Sequence, residues 1–409
     1  MAGPHRVLLL LSGNISTTPR AQKVIDYLEK YDGRIDLIMF NRGTYWQELD
    51  QSYLSRHQLG YQYLPFSKKD GYACWLTSTA INIFSQKLGF QQGSSAAVAS
   101  SKINAVFLLK SNFLRLNDYD AVFGFSSMLW PAYKISKRFG IPFAFDMEDY
   151  HPLENIYHRN KQREIKRREQ MLIDLLPKAA FVTYASPLIK QRAERLLLNN
   201  EQTVNHSAVI NNTFNASDFR FAECTNPKVQ FVWFSQTVSF ERGLEQILPA
   251  LKAHQSNVHL TIIGNMDIKF YDSVLLPYRD VITVKPAMPQ NELHAELCKY
   301  DIGLAIEQSS QTHDNGNREL CLTNKIFSYL LGGLYIMATD TAAQCEFITS
   351  HSSHGILSGQ TAEEMQKAVG WIVNNIATIR TAKKQRFETA SKFGWETEQN
   401  KLTNLMASL

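Results

Sequence analysis

The stretch from Glu307 to Asp340 constrains the fold most, because a polar loop, a helix and a buried strand follow one another within it. Thr323 and Asn324 favour the start of a helix. Four apolar residues then recur at helical spacing, namely Ile326, Phe327, Leu330 and Leu331. Gly332 and Gly333 end this helix, and the apolar run LYIMAT predicts a buried strand. A loop, helix and buried strand in this order are typical of an α/β domain.

The start of this helix is a candidate phosphate site. A helix N-terminus presents unpaired N–H groups and a partial positive charge, which suits a phosphate. Lys325 and Arg318 can add full charges there, and Asn317, Thr323 and Asn324 are polar neighbours. The local pattern is explained equally well by an ordinary helix start with charged loop residues.

Length and composition indicate a globular protein with two domains. A chain of 409 residues exceeds one ordinary hydrophobic core. No apolar run approaches the roughly 20 residues that span a bilayer, and the run from Val7 to Leu11 is too short for a signal-peptide core. The five cysteines are scattered without a CxxC pair, which predicts free thiols in a reducing, cytoplasmic environment.

Two consecutive series of strand and helix patterns run along the chain and predict parallel sheets. The first series begins with the strands RVLLLL and IDLIMF, which flank a helix from Arg20 to Lys30. The second begins at VQFVWFS, after an irregular stretch at 216–228. The first loop lacks GxGxxG, which excludes a dinucleotide-binding fingerprint. We therefore predict an α/β protein with two parallel-sheet domains and a ligand site between them.

The positive charge is concentrated in one segment. The net charge is +5, and residues 158–168 alone contain six Lys or Arg and one Glu. This local charge argues against nucleic-acid binding, which favours a broad basic face. A solvated amphipathic helix is the ordinary explanation. The alternative is peripheral attachment to an anionic membrane surface through 158–168.

Motifs spread over most of the chain resemble those of GT-B glycosyltransferases, specifically the family 4-like (group 1) enzymes of a bacterial subgroup. In chain order they are PRAQKVIDYL, FDMEDYH, VINNTFN, SFERGLEQILPAL, LTNKIFSYLLGGLYIMATDTAAQCEFI and FGWETEQNKLTNL. The resemblance implies two Rossmann-like domains that face a cleft, at 1–215 and 216–385. It also implies a C-terminal helix, within 386–409, that packs back toward the first domain.

The resemblance implies an enzyme that transfers a hexose from a nucleotide sugar to an acceptor hydroxyl, with retention and without a metal or other cofactor. The setting it implies is assembly of bacterial surface polysaccharide or glycolipid, with a glycan or lipid-linked acceptor. The expected donor-binding residues are Arg242, Gly243, Lys325, Asn324, Thr323, Arg318 and Asn317. The family's two glutamates fall on Leu320 and Ser328, so Glu307 at the end of DIGLAIE is the candidate for contacting the sugar, with Glu319 second.

The acceptor side is expected in the first domain, where three polar loops follow strands and open on one sheet edge. Its expected residues are Asn14, Arg20, Ser126 and Asp146, and its expected catalytic residues are Asp149, then Glu148, and His151. A carboxylate there can deprotonate the acceptor. A solvated loop with a capping residue explains each member of the cluster equally well, and a metal-binding role for DMED is weaker still.

Two other functions are compatible with the same motifs. A nucleotide-sugar epimerase of this fold would need no separate acceptor. A catalytically inactive partner subunit would keep the basic residues but would not need the glutamate pair that Leu320 and Ser328 replace.

Overall fold

The computed structural model describes residues 6–30, 33–41, 43–114, 118–154, 156, 160–308 and 316–409. The chain forms two compact units. The first contains Met1–Ile210, His313–Asn317 and Gln399–Leu409, and the second contains Asn211–Thr312 and Arg318–Glu398. As predicted, the C-terminal helix ends in the first unit.

The first unit is built on a seven-stranded sheet in which all neighbouring strands are parallel. Its strands are β1 (Arg6–Leu10), β2 (Arg34–Phe40), β3 (Gly60–Leu64), β4 (Ala121–Phe125), β5 (Phe143–Met147), β6 (Phe181–Tyr184) and β7 (Ser207–Val209). Its helices are α1 (Pro19–Glu29), α2 (Thr44–His57), α3 (Tyr72–Leu88), α4 (Gly93–Ser100), α5 (Lys102–Lys110), α6 (Leu129–Phe139), α7 (Lys161–Leu175) and α8 (Pro187–Leu198).

The strand order of this sheet is β3-β2-β1-β4-β5-β6-β7. The chain therefore moves outward in opposite directions from β1 and β4, and the boundary between these two strands is a topological switch point. Loops at the carboxyl ends of strands beside a switch point form the usual ligand crevice of an open α/β sheet. The predicted acceptor loops follow β1, β4 and β5, so the topology places them at this edge.

The second unit has a six-stranded parallel sheet in the order β10-β9-β8-β11-β12-β13. Its strands are β8 (Val229–Val238), β9 (Val258–Met266), β10 (Ile282–Lys285), β11 (Ile302–Ala305), β12 (Tyr335–Thr339) and β13 (Gly355–Ser358). The helices that follow the first unit's are α9 (Leu244–Ala253), α10 (Ile268–Phe270), α11 (Gln290–Leu297), α12 (Asn317–Leu320), α13 (Asn324–Leu331), α14 (Ala342–Ser350), α15 (Ala362–Thr381), α16 (Lys383–Thr389) and α17 (Trp395–Met406). The switch point lies between β8 and β11.

The core of the second unit lies on both faces of its sheet. One face packs β8 and β9 against α9 and α15, and the other packs β11 and β12 against α13. The central strands are buried on both sides, which explains why VQFVWFS and LYIMAT are near-continuous apolar runs.

The segment between β3 and β4 differs from its prediction. Two helices were expected around a loop at 93–101, whereas three helices form, and α4 occupies most of that predicted loop. Its small residues from Ala96 to Ala99 are buried, since small side chains let α4 pack closely against its neighbours. Among the described residues, no helix is long and apolar enough to cross a membrane.

Candidate functional site

Arg20 and Asp146 in the first unit form a buried ion pair. Nε and Nη2 of Arg20 donate to the two carboxylate oxygens of Asp146 at 2.7 and 2.5 Å, and the side chains are 4% and 3% exposed. Arg20 also donates to the Ile210 carbonyl oxygen, and the Thr183 hydroxyl donates to Asp146. These groups bind each other and fix α1 against β5, and their predicted place on the acceptor side stays a prediction.

Asn14 has a similar structural role in the loop after β1. Its Nδ2 donates to Oδ2 of Asp50 at 2.7 Å, and both residues are fully buried. The Ser16 N–H and the Tyr63 hydroxyl also donate to Asp50, at 2.8 and 2.6 Å. Asn14 thus shapes the loop and does not face an acceptor. Sequence reasoning missed Asp50, because its position within α2 gave no sign of burial.

Ser126 and Glu148 come together at the carboxyl ends of β4 and β5. The Ser126 hydroxyl donates to Oε2 of Glu148 at 3.3 Å, and Ser126 has a φ of +54°, which is rare for a residue other than glycine. Burial raises the pKa of Glu148 to about 7, and the charges of Asp149 and Asp146 add to the shift while Arg20 opposes it. A carboxyl group that titrates near neutral pH suits general acid–base chemistry.

Asn317 orients the neighbouring carboxylate. Its Nδ2 donates to Oδ1 of Asp149 at 2.8 Å, and its own Oδ1 accepts from the Tyr150 N–H at 2.9 Å. Asn317 belongs to the first unit by its contacts, and its predicted place among the donor-binding residues stays a prediction.

His151 is held by a carboxylate of the following turn. Its Nδ1 lies 2.6 Å from Oε2 of Glu154, and its carbonyl oxygen accepts from Nη1 of Arg168. Burial raises the pKa of Glu154, but the hydrogen bond and charge of His151 outweigh it and leave that pKa below its usual value. Glu154 therefore occupies one ring nitrogen of His151 and fixes the orientation of the ring.

The basic run at 158–168 is not a uniformly charged surface. Arg167 and Arg168 are 1% and 8% exposed, and both bind the carboxylate of Glu164, which is also buried. Arg167 Nε donates to the Phe90 carbonyl oxygen as well. The prediction that these two arginines face a membrane is corrected, because their charges are used inside the unit. His158 and Arg159 lie outside the described residues.

The second unit contains an ion pair at the end of β11. Nζ of Lys325 lies 2.7 Å from Oε1 of Glu307, and the two side chains are 10% and 12% exposed. The Lys325 ammonium also lies 5.7 Å from the centroid of the Trp233 ring. The Glu307 N–H donates to Oγ1 of Thr339, whose hydroxyl donates to the Glu307 carbonyl oxygen. Three strand ends and α13 thus fix this pair.

Arg242 lies in the loop at the neighbouring strand end and is exposed. In the described part of the chain, no ion pair involves Arg242. Gly243 follows with a φ of +83°, and a Cβ there would lie 3.2 Å from Cβ of Ile306. A side chain would therefore be strained and crowded at the point where α9 starts beside β11.

Arg318 joins the loops after β8 and β11. Its Nη1 donates to the Gln308 carbonyl oxygen at 3.1 Å and lies 3.4 Å from that of Glu241. Contacts thus connect Arg318 with the loop that carries Arg242 and the one that begins at Glu307. The structure brings most predicted donor residues to one edge of the second sheet.

Thr323 and Asn324 begin α13 as predicted. Thr323 Oγ1 is buried without a hydrogen-bond partner among the described residues, so the helix start keeps an unused hydroxyl. The second candidate for the sugar contact, Glu319, instead accepts from the Ala342 N–H at the start of α14. Trp233 and Thr339 were missed, because the first lay in an apolar strand pattern and the second gave no charge signal.

No family model matches the sequence, and no curated protein matches it. Solved structures match along nearly the whole chain. Anabaena HepE in complex with UDP-glucose has a TM-score of 0.63 and 14% identity, and the match covers 99% of this chain and 100% of that chain. Sucrose-phosphate synthase from Thermosynechococcus elongatus has a TM-score of 0.64 and 12% identity, with 98% of each chain covered. A glycosyltransferase from Rickettsia africae has a TM-score of 0.62 and 14% identity, with 98% and 97% covered.

This chain has the GT-B fold. At these identities the similarity establishes the fold alone. The chemistry depends on the residues at one edge of each sheet, where the carboxyl ends of its strands lie. In the GT-B protein described here, one edge carries a carboxyl group that titrates near neutral pH. The other carries cationic side chains around the ion pair of Lys325 and Glu307.

Proposed function

We propose that this protein is a glycosyltransferase that moves a sugar from a nucleotide-sugar donor to an acceptor hydroxyl. The observation that carries the proposal is the group of Arg242, Arg318 and Lys325 beside Glu307 at the switch point of the second sheet. Arg and Lys side chains stabilise a diphosphate leaving group as its charge develops. The HepE complexes contain UDP, UDP-glucose, or UDP with glucose, which favours a uridine diphosphate sugar as the donor.

In this proposal the second unit binds the donor. Arg242 and Lys325 contact the diphosphate, and the start of α13, with Thr323 and Asn324, adds N–H and hydroxyl donors. Gly243 lets the backbone approach, and Arg318 fixes the two loops. Glu307 contacts the transferred sugar and holds the Lys325 ammonium. These charges can stabilise the leaving group without a metal.

The first unit supplies the proton acceptor. Glu148 takes this role in preference to Asp149, because the pKa of Glu148 lies near 7 and one oxygen of Asp149 is already bound by Asn317. Proton transfer is most efficient when the pKa of the base lies near the working pH. The acceptor hydroxyl belongs to a glycan or to a lipid-linked sugar in surface polysaccharide or glycolipid assembly.

The test begins with calorimetric titration of the purified protein with UDP, GDP, dTDP and CMP. We expect UDP to bind, with an affinity that falls in Arg242→Ala and stays constant in Arg279→Ala, a matched exposed arginine of the same unit. Absence of binding by every nucleotide would contradict the donor site.

Mass spectrometry of UDP-hexose incubations then separates the possible functions. A glycosylated product that requires an acceptor supports a transferase, and NMR of its anomeric centre tests the expected retention. Conversion of the donor alone into an isomer would instead identify an epimerase. Nucleotide binding without any product across a panel of sugar and lipid-linked acceptors would identify an inactive binding subunit.

A further inference from the structure

Helix α3 in the first unit packs its polar side inward. Successive residues of a helix are rotated by about 100°, so Ser78, Asn82 and Ser85 share one face. Ser78 and Ser85 are buried. Nδ2 of Asn82 and Nε2 of Gln86 both donate to the Ala99 carbonyl oxygen, at 3.2 and 3.0 Å. Side-chain hydrogen bonds therefore contribute to the contact between α3 and α4, where apolar groups predominate in most helices.

The opposite face of α3 is apolar and exposed. Its large side chains and their exposed fractions are Tyr72 (62%), Leu76 (49%), Ile83 (46%), Phe84 (63%) and Leu88 (54%). Single exposed apolar residues are common, but a continuous stripe over four turns marks an interaction surface. We call this stripe the α3 apolar face.

Cationic residues predominate in the sequence that carries the α3 apolar face. From Gly71 to Leu114 the sequence has no Asp or Glu, while Lys87, Lys102 and Lys110 lie in that interval. Lys68 and Lys69 directly precede it, followed by Asp70. The surface is thus apolar with a cationic border.

Lysines and aromatic rings meet at the N-terminal end of the helix. The Lys68 and Lys102 ammonium groups lie 4.4 and 4.9 Å from the centroid of the Trp75 ring. The Trp75 ring also stacks on that of Tyr72. Aromatic rings beside lysines are the composition found at the boundary between lipid headgroups and acyl chains.

A cationic cavity lies just beyond the other end of the helix. It has a volume of about 270 Å³ and is lined by Gln91 to Ser94, by Trp130 and Tyr133, by Lys134, Lys137 and Lys178, and by Asp174, among others. Within the part of the chain that the structure describes, neither Lys134 nor Lys137 is in an ion pair. The Lys134 ammonium lies 5.9 Å from the centroid of the Trp130 ring, and cations at such a cavity suit an anionic headgroup.

We propose that the α3 apolar face docks this protein on an anionic lipid bilayer, with α3 lying in the interface. Apolar side chains would enter the acyl boundary while the bordering lysines contact anionic headgroups. A second copy of the chain fits this surface poorly. A two-fold interface would set a border of lysines against the same border, with no carboxylate from Gly71 to Leu114 to pair with them.

The experiment measures sedimentation of the full chain with two kinds of vesicle: phosphatidylcholine alone, and phosphatidylcholine with phosphatidylglycerol in equal parts. We expect binding to the anionic vesicles only, reversed by high salt. Leu76→Ser/Ile83→Ser should lower the partition coefficient roughly tenfold or more, since two apolar side chains leave the acyl boundary. In the triple variant Lys68→Gln/Lys69→Gln/Lys87→Gln, each substitution should lower the partition coefficient roughly fivefold.

The matched control is Leu198→Ser/Ile268→Ser, which removes the same two side chains from exposed positions, 63% and 75% exposed, outside α3. The control should bind like the wild type, and thermal unfolding should show that each variant is folded. Equal losses in the two double variants would overturn the proposal, as would wild-type protein that stays in the supernatant. A dimer in vesicle-free ultracentrifugation that only Leu76→Ser/Ile83→Ser abolishes, without vesicle binding, would assign the face to a second copy instead.

Discussion

The two units have similar sheets, but their strand edges use charge in opposite ways. In the first unit, Arg20 and Asp146 form a buried pair, and burial raises the pKa of the nearby Glu148 to about 7, with the charges of Asp149 and Asp146 adding to the shift and Arg20 opposing it. In the second unit, Lys325 is paired with Glu307 while Arg242 remains exposed. Burial of Glu148 therefore suits the first edge to proton transfer, while the exposed Arg242 suits the second edge to an anionic ligand.

The sharpest test of this difference is Glu148→Gln, which keeps the size of the side chain and removes its basic oxygen. We expect transfer to fall by roughly 10²–10⁴-fold while UDP affinity stays unchanged, because general-base catalysis contributes about that much. In the wild type, kcat/KM should rise with pH through about 7, the pKa of Glu148. In the variant, kcat/KM should no longer rise in this pH range.

Asp149→Asn is the matched variant, since it changes the neighbouring carboxylate in the same way. If Asp149→Asn removes the rise of kcat/KM near pH 7 and Glu148→Gln retains it, the base is Asp149. The environment of Glu148 then has no catalytic role.

Asp146→Asn breaks the buried pair and tests its structural role. The variant should lose about 3–5 kcal/mol of unfolding free energy in urea titrations, because the Arg20 charge stays buried without a partner. Asp280→Asn, which breaks the surface pair with Lys252, should change stability little. Equal changes in the unfolding free energy of these two variants would show that the buried pair of Arg20 and Asp146 stabilises the first unit no more than a surface pair does.

Arg242→Ala tests the exposed cation of the second edge. Loss of one charge-assisted contact should weaken UDP binding by about 1.5–3 kcal/mol, or roughly 10- to 100-fold, in calorimetry. Its unfolding free energy should match that of the wild type, because an exposed side chain that forms no ion pair with the described residues supports little structure. A loss of stability with constant UDP affinity would assign Arg242 a structural role.

The pH dependence of stability tests the raised pKa of Glu148. The folded-state pKa of Glu148 lies above its value of 4.5 in the unfolded chain, so its protonated form is favoured by folding. Its contribution is complete below pH 4.5 and is lost as pH rises through about 7. Relative to the wild type, Glu148→Gln should therefore gain about 3 kcal/mol between pH 4.5 and 8 in urea titrations. A constant difference would show that Glu148 has no raised pKa.

Much of the framework follows from the sequence by itself. Strands such as RVLLLL and LYIMAT and the helix starting at Asn324 carry their own pattern, because apolar periodicity and capping residues act locally. The ends of those strands then fix which loops share an edge, which is why Glu307, Arg318, Lys325, Ser126 and Glu148 could be selected as candidates.

Tertiary structure alone decided which charged residues are used internally. Arg167, Arg168 and Asn14 look like surface groups in the sequence, but each is buried against a carboxylate that lies on another turn or another element. The inverted packing of α3 was equally hidden, since periodicity shows that a helix has two faces and not which one meets the protein. Burial depends on which segments meet, and the pKa of Glu148 depends on burial and on charges brought together by the fold. Those distances exist only in the folded chain.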